Sequence, residues 1–234
     1  MGNMLNFLLL VTTILLAILS FALGIFSLWR NPKSKVVRLW FLMSMAVGVW
    51  SSGLILLFVA TFHNLSGATL LLYSRILHIG AAFIPIIFCH FVLVLTYQNS
   101  KRNKLLVAAG YAVALILAGL SFTKYIIPSV GPRSVFDLWP ISGQLYWIFV
   151  LCFWVYSLLA IYFLFQGYRR SDGVLKKKIF YILIAALIGF LGGGTCYLPQ
   201  TLNIYPFGQF FTWLYPILIT YGIFVDEIKI KIKF

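Results

Sequence analysis

Residues 192–234 read GGGTCYLPQTLNIYPFGQFFTWLYPILITYGIFVDEIKIKIKF. The glycine triplet Gly192-Gly193-Gly194 stands at the outer end of an apolar run, and Pro206 sits in a short loop after it. Residues 206–225 are apolar again, then Asp226, Glu227 and a lysine-alternating tail follow. This is the pattern of one membrane helix ending, a tight connection, a last spanning helix and a basic cytoplasmic exit. A signal carried by the bundle must leave the membrane at this exit, where an effector is expected.

The same alternation of long apolar runs and short polar breaks extends back to the N-terminus. Seven segments are long enough to cross a hydrocarbon core of about 30 Å at about 1.5 Å per helical residue. They fall at roughly 5–29, 37–62, 69–97, 104–122, 144–168, 178–198 and 206–225. Backbone groups in lipid must be satisfied within the segment, so such runs are helices. Of the 234 residues, 62% are hydrophobic and 9% charged, against about 25% charged in soluble domains. The expected fold is an all-α seven-transmembrane bundle, one domain over residues 1–234, with no soluble output domain among them. The first run lacks a basic leader and a cleavage site, and is read as a retained helix.

The net charge of +14 is unevenly placed. Arg30, Lys33, Lys35 and Arg38 lie in the first connection; Lys101, Arg102 and Lys104 in the third; Arg169, Arg170, Lys176, Lys177 and Lys178 in the fifth. Lys229, Lys231 and Lys233 close the chain, so 15 of the 18 basic residues share one side. The positive-inside rule puts the N-terminus outside and the C-terminus in the cytoplasm of a multi-pass plasma-membrane protein. The basic balance is thus a topology signal and an attraction to anionic lipid, with no nucleic-acid partner expected. The longest outer connection, Thr123 to Gly143, is rich in Pro and Gly and reads either as a lid over the bundle mouth or as a solvated connector. Asn64-Leu65-Ser66 fits a glycosylation sequon, relevant only to a eukaryotic secretory route. Trp50, Trp147, Trp154 and Trp213 read as packing residues.

Catalytic chemistry finds little footing. The acids Asp137, Asp172, Asp226 and Glu227 all lie outside the spanning segments, which argues against a carboxylate relay or ion site. Cys89, Cys152 and Cys196 show no metal or redox spacing. No cofactor, metal or catalytic residue is expected. In the third segment Arg75 and His78, three residues apart, share a helix face. Either Arg75 reaches out to helix-end carbonyls or Asp137, or Arg75 and His78 line an outward pocket for a polar or anionic ligand. His90 reads as a hydrogen-bonded core residue. After the glycine triplet, Thr195, Tyr197, Gln200, Asn203 and Tyr205 supply polar groups at the same level, either as ligand contacts or as packing and wet loop.

Four stretches carry a resemblance: Arg30-Asn31-Pro32 with its basic entry into the second helix; RILHIGAAFIPIIFCHF, residues 75–91; Ile204-Tyr205-Pro206-Phe207-Gly208; and Tyr221-Gly222-Ile223-Phe224 with the Ile-Lys exit. In order and spacing these resemble the seven-transmembrane input region at the N-terminus of bacterial and archaeal histidine kinases and related signalling proteins. The chain departs from that pattern in its early Asp226-Glu227 pair, and no phosphoacceptor His box or Gly-rich nucleotide loop follows. The resemblance therefore implies a sensor and no kinase activity in these residues. It implies a small external or membrane-dissolved ligand, a cytoplasmic effector in cis or in trans, and a homodimer if the output is kinase-like.

The leading expectation is a membrane sensor of a two-component-like system. Its candidate ligand contacts are Arg75, His78, Tyr197, Gln200 and Asn203, and its signal exit is Tyr221, Asp226 and Glu227. The alternatives are a small-molecule transporter, which the lack of intramembrane acids and repeats disfavours, and a membrane scaffold subunit.

Overall fold

The computed structural model describes residues 2–63, 65–98 and 100–231. Asn64 of the sequon, Lys233 and the side chain of Glu227 lie outside this description. Among the described residues the chain forms α1 (Gly2–Arg30), α2 (Lys35–Phe62), α3 (Gly67–Leu95) and α4 (Lys101–Leu120). A hairpin follows, β1 (Val130–Arg133) and β2 (Phe136–Pro140), then α5 (Tyr146–Arg170), α6 (Gly173–Leu202) and α7 (Leu214–Lys231). Helices α1 to α6 are each long and apolar enough to span a membrane; α7 contributes a shorter apolar stretch, Leu214–Asp226. The fold is an all-α membrane bundle carrying one small hairpin.

Local chemistry sets the helix starts. Ser34, Ser66 and Ser100 cap α2, α3 and α4, each hydroxyl accepting from the backbone amide three residues on. Such caps satisfy amides that the helix itself leaves orphaned. The last helix begins at Leu214, later than the expected 206. Pro216 explains the delay. It has no amide to offer Thr212, and its ring clashes with a preceding helical carbonyl, so it is tolerated only in a first turn. Residues Phe207–Phe211 form a separate 3-10 turn instead.

The sixth helix is longer than the expected 178–198 and is not uniform. A regular stretch, Gly173–Ala186, passes into a π-helical turn, Leu187–Leu191, and then through the glycine triplet. It tightens to 3-10 geometry at Thr195–Tyr197, one turn before Pro199, and closes on Asn203 in the left-handed conformation (φ 58°). A β-carbon on Gly192 would sit 2.6 Å from the Gly208 carbonyl oxygen, so this triplet lets the 3-10 turn lie directly on α6.

Helix α3 runs through the middle of the bundle and packs on α2, α4 and α5; α6 packs on α5 and α7, and α7 on α1, which closes the ring against α2. Trp40, Phe88, Phe91, Phe149 and Phe190 are fully buried between them. Phe7, Ile18, Leu115, Ile116, Leu151 and Leu158 face outward, an arrangement that suits lipid and would be an aggregation hazard in water. Because the helices alternate in direction, the basic connections and the end of α7 gather at one end of the bundle. The Lys178–Asp226 ion pair and the Arg30 guanidinium over the Phe224 ring lie there.

The opposite end is covered. Residues 123–143 fold back as a bulged antiparallel hairpin, with Val130 opposite Pro140 and Arg133 opposite Phe136. Phe136 stacks between Trp139 (4.2 Å between ring centroids) and Tyr205 (5.4 Å), and Phe58 of α2 meets both Phe136 and Trp139. Of the two readings of this stretch, a lid and a solvated connector, the structure has the lid.

Candidate functional site

The residues singled out near the covered end have divided roles. Asn203 ends α6, and its Oδ1 accepts the Ser134 amide at the hairpin turn, 2.5 Å away. Gln200 is buried, and its carbonyl accepts the Ser142 hydroxyl at 3.3 Å. Arg75 is half-buried and donates through Nη2 to the Ile127 carbonyl at 3.3 Å. Ile126 and Ile127 are wholly buried at the base of the hairpin, while Asp137 stays exposed. Arg75 therefore binds the carbonyl of the connection that carries the lid. Tyr205 completes the ring of ties by donating its hydroxyl to the Leu5 carbonyl at 2.8 Å. Burial raises the pKa of that hydroxyl above the ordinary tyrosine range, so it remains a donor at physiological pH.

His78 points elsewhere. Its Nδ1 lies 2.6 Å from the Ser74 carbonyl and must carry the proton, since a carbonyl only accepts. Nε2 is then an acceptor, and the Tyr146 hydroxyl faces it at 3.4 Å. The imidazole packs edge-on to Tyr146 and Phe149, and Tyr197 packs edge-on to Tyr146, Phe149 and Phe153. Spacing on one helix places Arg75 and His78 close together, yet one serves the lid and the other the α3–α5 interface. His90 meets the Tyr111 hydroxyl at 3.2 Å between α3 and α4.

Deeper in the bundle lies a cavity of ≈ 50 Å³, bounded by α1, α2, α3, α5, α6 and the start of α7. A site needs roughly 10–15 Å³ on this measure to hold a water, so there is room for a few waters or one small apolar group. Trp50, Phe153, Phe190, Tyr197 and Tyr215 are the aromatic residues of its wall, and Gly193 faces it with no neighbouring side chain or facing backbone within 4 Å of where a β-carbon would stand. The lining carries no charge. Its lining residues include Tyr215, whose hydroxyl is buried with no hydrogen-bond partner, and Thr212, whose hydroxyl is bonded to the Gln209 carbonyl at 2.9 Å. Of the five candidate contacts read from the sequence, Tyr197 alone lines this space. Trp50, Phe190 and Tyr215 were not singled out as contacts, because aromatics in an apolar run look the same whether they fill a core or wall a cavity.

At the other end, Tyr221 of α7 packs edge-on to Tyr181 of α6 at 4.7 Å, and Asp226 pairs with Lys178 at 2.7 Å. Phe224 packs on Phe26 of α1. The exit of α7 is thus joined to both neighbouring helices. Among the described residues no cluster of three or more His, Cys, Asp or Glu side chains could hold a metal ion.

A family model described as the N-terminal 7TM region of histidine kinase matches residues 12–227, nearly the whole described bundle. No curated protein matches the chain.

Proposed function

The chain belongs to the family of N-terminal seven-transmembrane regions of histidine kinases, and we propose that its ligand is small, largely apolar and dissolved in the membrane. The family makes the chain a sensory region of a multi-pass membrane protein and not a catalytic domain. The observation that carries the ligand class is the uncharged cavity between the glycine triplet of α6 and Tyr215 of α7, the helix that leads out. An unpaired Tyr215 hydroxyl in an uncharged, mostly apolar wall suits a ligand with an apolar body and a hydrogen-bond acceptor.

In this reading Tyr197, Trp50 and Tyr215 contact the ligand, while Arg75, Gln200 and Asn203 hold the lid and His78 orients Tyr146. The N-terminus faces outward and the basic end faces the cytoplasm, as the charge asymmetry favours. The ligand must prefer one packing of α6 against α7 over another, since only a difference in affinity shifts an equilibrium. Tyr221 and Asp226 then carry the shift to an effector that follows in cis or binds in trans.

The test fills the cavity. The chain is joined after α7 to the cytoplasmic part of a histidine kinase, and autophosphorylation is read in liposomes with short-chain alkanols, ethanol and propanol, as probes matched to the cavity. Gly193→Ala and Gly193→Val should abolish the alkanol response in graded fashion. Leu115→Ile, on the lipid face, should leave it unchanged. A Gly193→Val chain that responds like its parent would sink the cavity reading.

A further inference from the structure

We propose that the groove at the basic end of the bundle, between the end of α5, the start of α6 and the inner half of α7, binds an anionic phospholipid. The groove measures ≈ 570 Å³ and is lined chiefly by Tyr168, Lys176, Lys177, Phe180, Tyr181 and Tyr221. Two features of that lining point to the occupant. The first is charge: among the described residues no acidic side chain lines the groove and no carboxylate pairs with Lys176 or Lys177. Asp226, just past the groove on α7, is engaged with Lys178 at 2.7 Å and lies in a different recess. The two remaining ammonium groups are available to a phosphate.

The second feature is the aromatic wall. The Lys176 ammonium lies 5.1 Å over the Tyr168 ring, and Tyr181 meets Tyr221 at 4.7 Å. Phe180 and Tyr221 keep more than a third of their surface exposed. Aromatic rings at the ends of spanning helices sit at the boundary between headgroups and acyl chains. Basic pockets between helices at that level recognise anionic headgroups, each lysine adding to the attraction. A free inorganic anion would use the lysines and leave the rings idle. A phospholipid uses both, with its phosphate on Lys176 and Lys177 and its glycerol and first methylenes against Tyr168, Phe180 and Tyr181.

The lining comes from three helices, and Tyr221 and Val225 belong to the one that leads out of the membrane. A lipid seated there joins α6 to α7 beside the Tyr181–Tyr221 contact. The site stands apart from the cavity near Gly193, and it holds whether or not that cavity takes a ligand.

The test uses native mass spectrometry of the full chain with phosphatidylglycerol and phosphatidylcholine of matched acyl chains. Phosphatidylglycerol should be retained preferentially. Lys176→Gln/Lys177→Gln should lose about thirtyfold in phosphatidylglycerol affinity, and Tyr181→Leu should weaken retention of that lipid with the charge unchanged. Lys101→Gln/Lys104→Gln, exposed lysines at the same end of the bundle but outside the groove, should behave like the parent. Equal loss in both double variants, or none in either, overturns the site. Soluble glycerol phosphate at millimolar concentration should fail to displace the lipid; complete displacement would make this a free-anion site and overturn the phospholipid assignment. Thermal unfolding supplies a second readout: phosphatidylglycerol should raise the melting temperature of the parent and not of the groove double variant.

Discussion

The backbone amide of Ser134 donates to Asn203 Oδ1 at 2.5 Å, joining the tip of the hairpin to the end of α6 across 69 positions of sequence. Both residues have positive φ, 55° for Ser134 and 58° for Asn203. Asn203 therefore does two things: it ends the helix in the left-handed region, and it holds the lid. Asn203→Gly removes the lid bond but eases the left-handed turn, so it should cost no more than about 1 kcal/mol. Asn203→Ala removes the same bond and leaves in the left-handed region a residue that tolerates it less well than Asn or Gly, so it should cost about 1–2 kcal/mol more than the glycine variant. Thermal unfolding in detergent separates the two variants. Hydrogen exchange should show residues 130–140 released in both.

Neighbouring glycines should give opposite results. A β-carbon on Gly192 would meet the Gly208 carbonyl oxygen at 2.6 Å, whereas on Gly193 it would meet nothing within 4 Å. Gly192→Ala should destabilise by about 1–3 kcal/mol, as overpacking does. Gly193→Ala should be neutral or stabilising by up to about 1 kcal/mol through helix propensity. Equal melting temperatures for the two would contradict the close approach of α6 and the 3-10 turn.

Arg75→Ala should loosen the base of the lid. It leaves the buried Ile127 carbonyl without its side-chain donor, at a cost of about 1–3 kcal/mol. The expected signature is faster exchange in residues 123–129, with the His78–Tyr146 contact intact. If exchange there stays as slow as in the parent, Arg75 does not hold this connection.

The Lys178–Asp226 pair is partly exposed, with side chains 25% and 35% accessible. Pairs of that kind contribute about 0–1 kcal/mol and weaken with salt. Asp226→Asn should therefore barely move the melting temperature. In the kinase-joined chain it should nonetheless shift basal autophosphorylation, and the exchanged pair Lys178→Asp/Asp226→Lys should restore it toward the parent level. No change in basal output for Asp226→Asn would remove this pair from the signal path.

Hydropathy alone yields the bundle, because runs such as Gly67–Leu95 admit no other structure in lipid. Pro216 carries enough information to start α7 at Leu214, but only when its missing amide is weighed against the apolar run around it. The hairpin was half legible. Pro and Gly in 123–143 announce turns, and nothing local says that Phe136 and Trp139 will find Phe58 and Tyr205, which lie far away in sequence. The same limit applied to Arg75 and His78. Their spacing put them on one helix, and the partners that separate them, Ile127 and Tyr146, come from other elements. The cavity was illegible for another reason: it is defined by atoms that are missing, above all the absent β-carbon of Gly193.

The π-helical turn at Leu187–Leu191 divides α6 into two rods whose registers differ by one residue. Were that turn to tighten into ordinary α-helix, one rod would rotate against the other by about 100° and slide by about 1.5 Å. The outer rod is held by Asn203 and Gln200 to the lid. The twist would then have to be delivered to the inner rod, which bears Lys176, Lys177, Lys178 and Tyr181. Such a quarter-turn of the charged inner rod would have to slide past α7 and break the Tyr181–Tyr221 contact and the Lys178–Asp226 pair that now hold it.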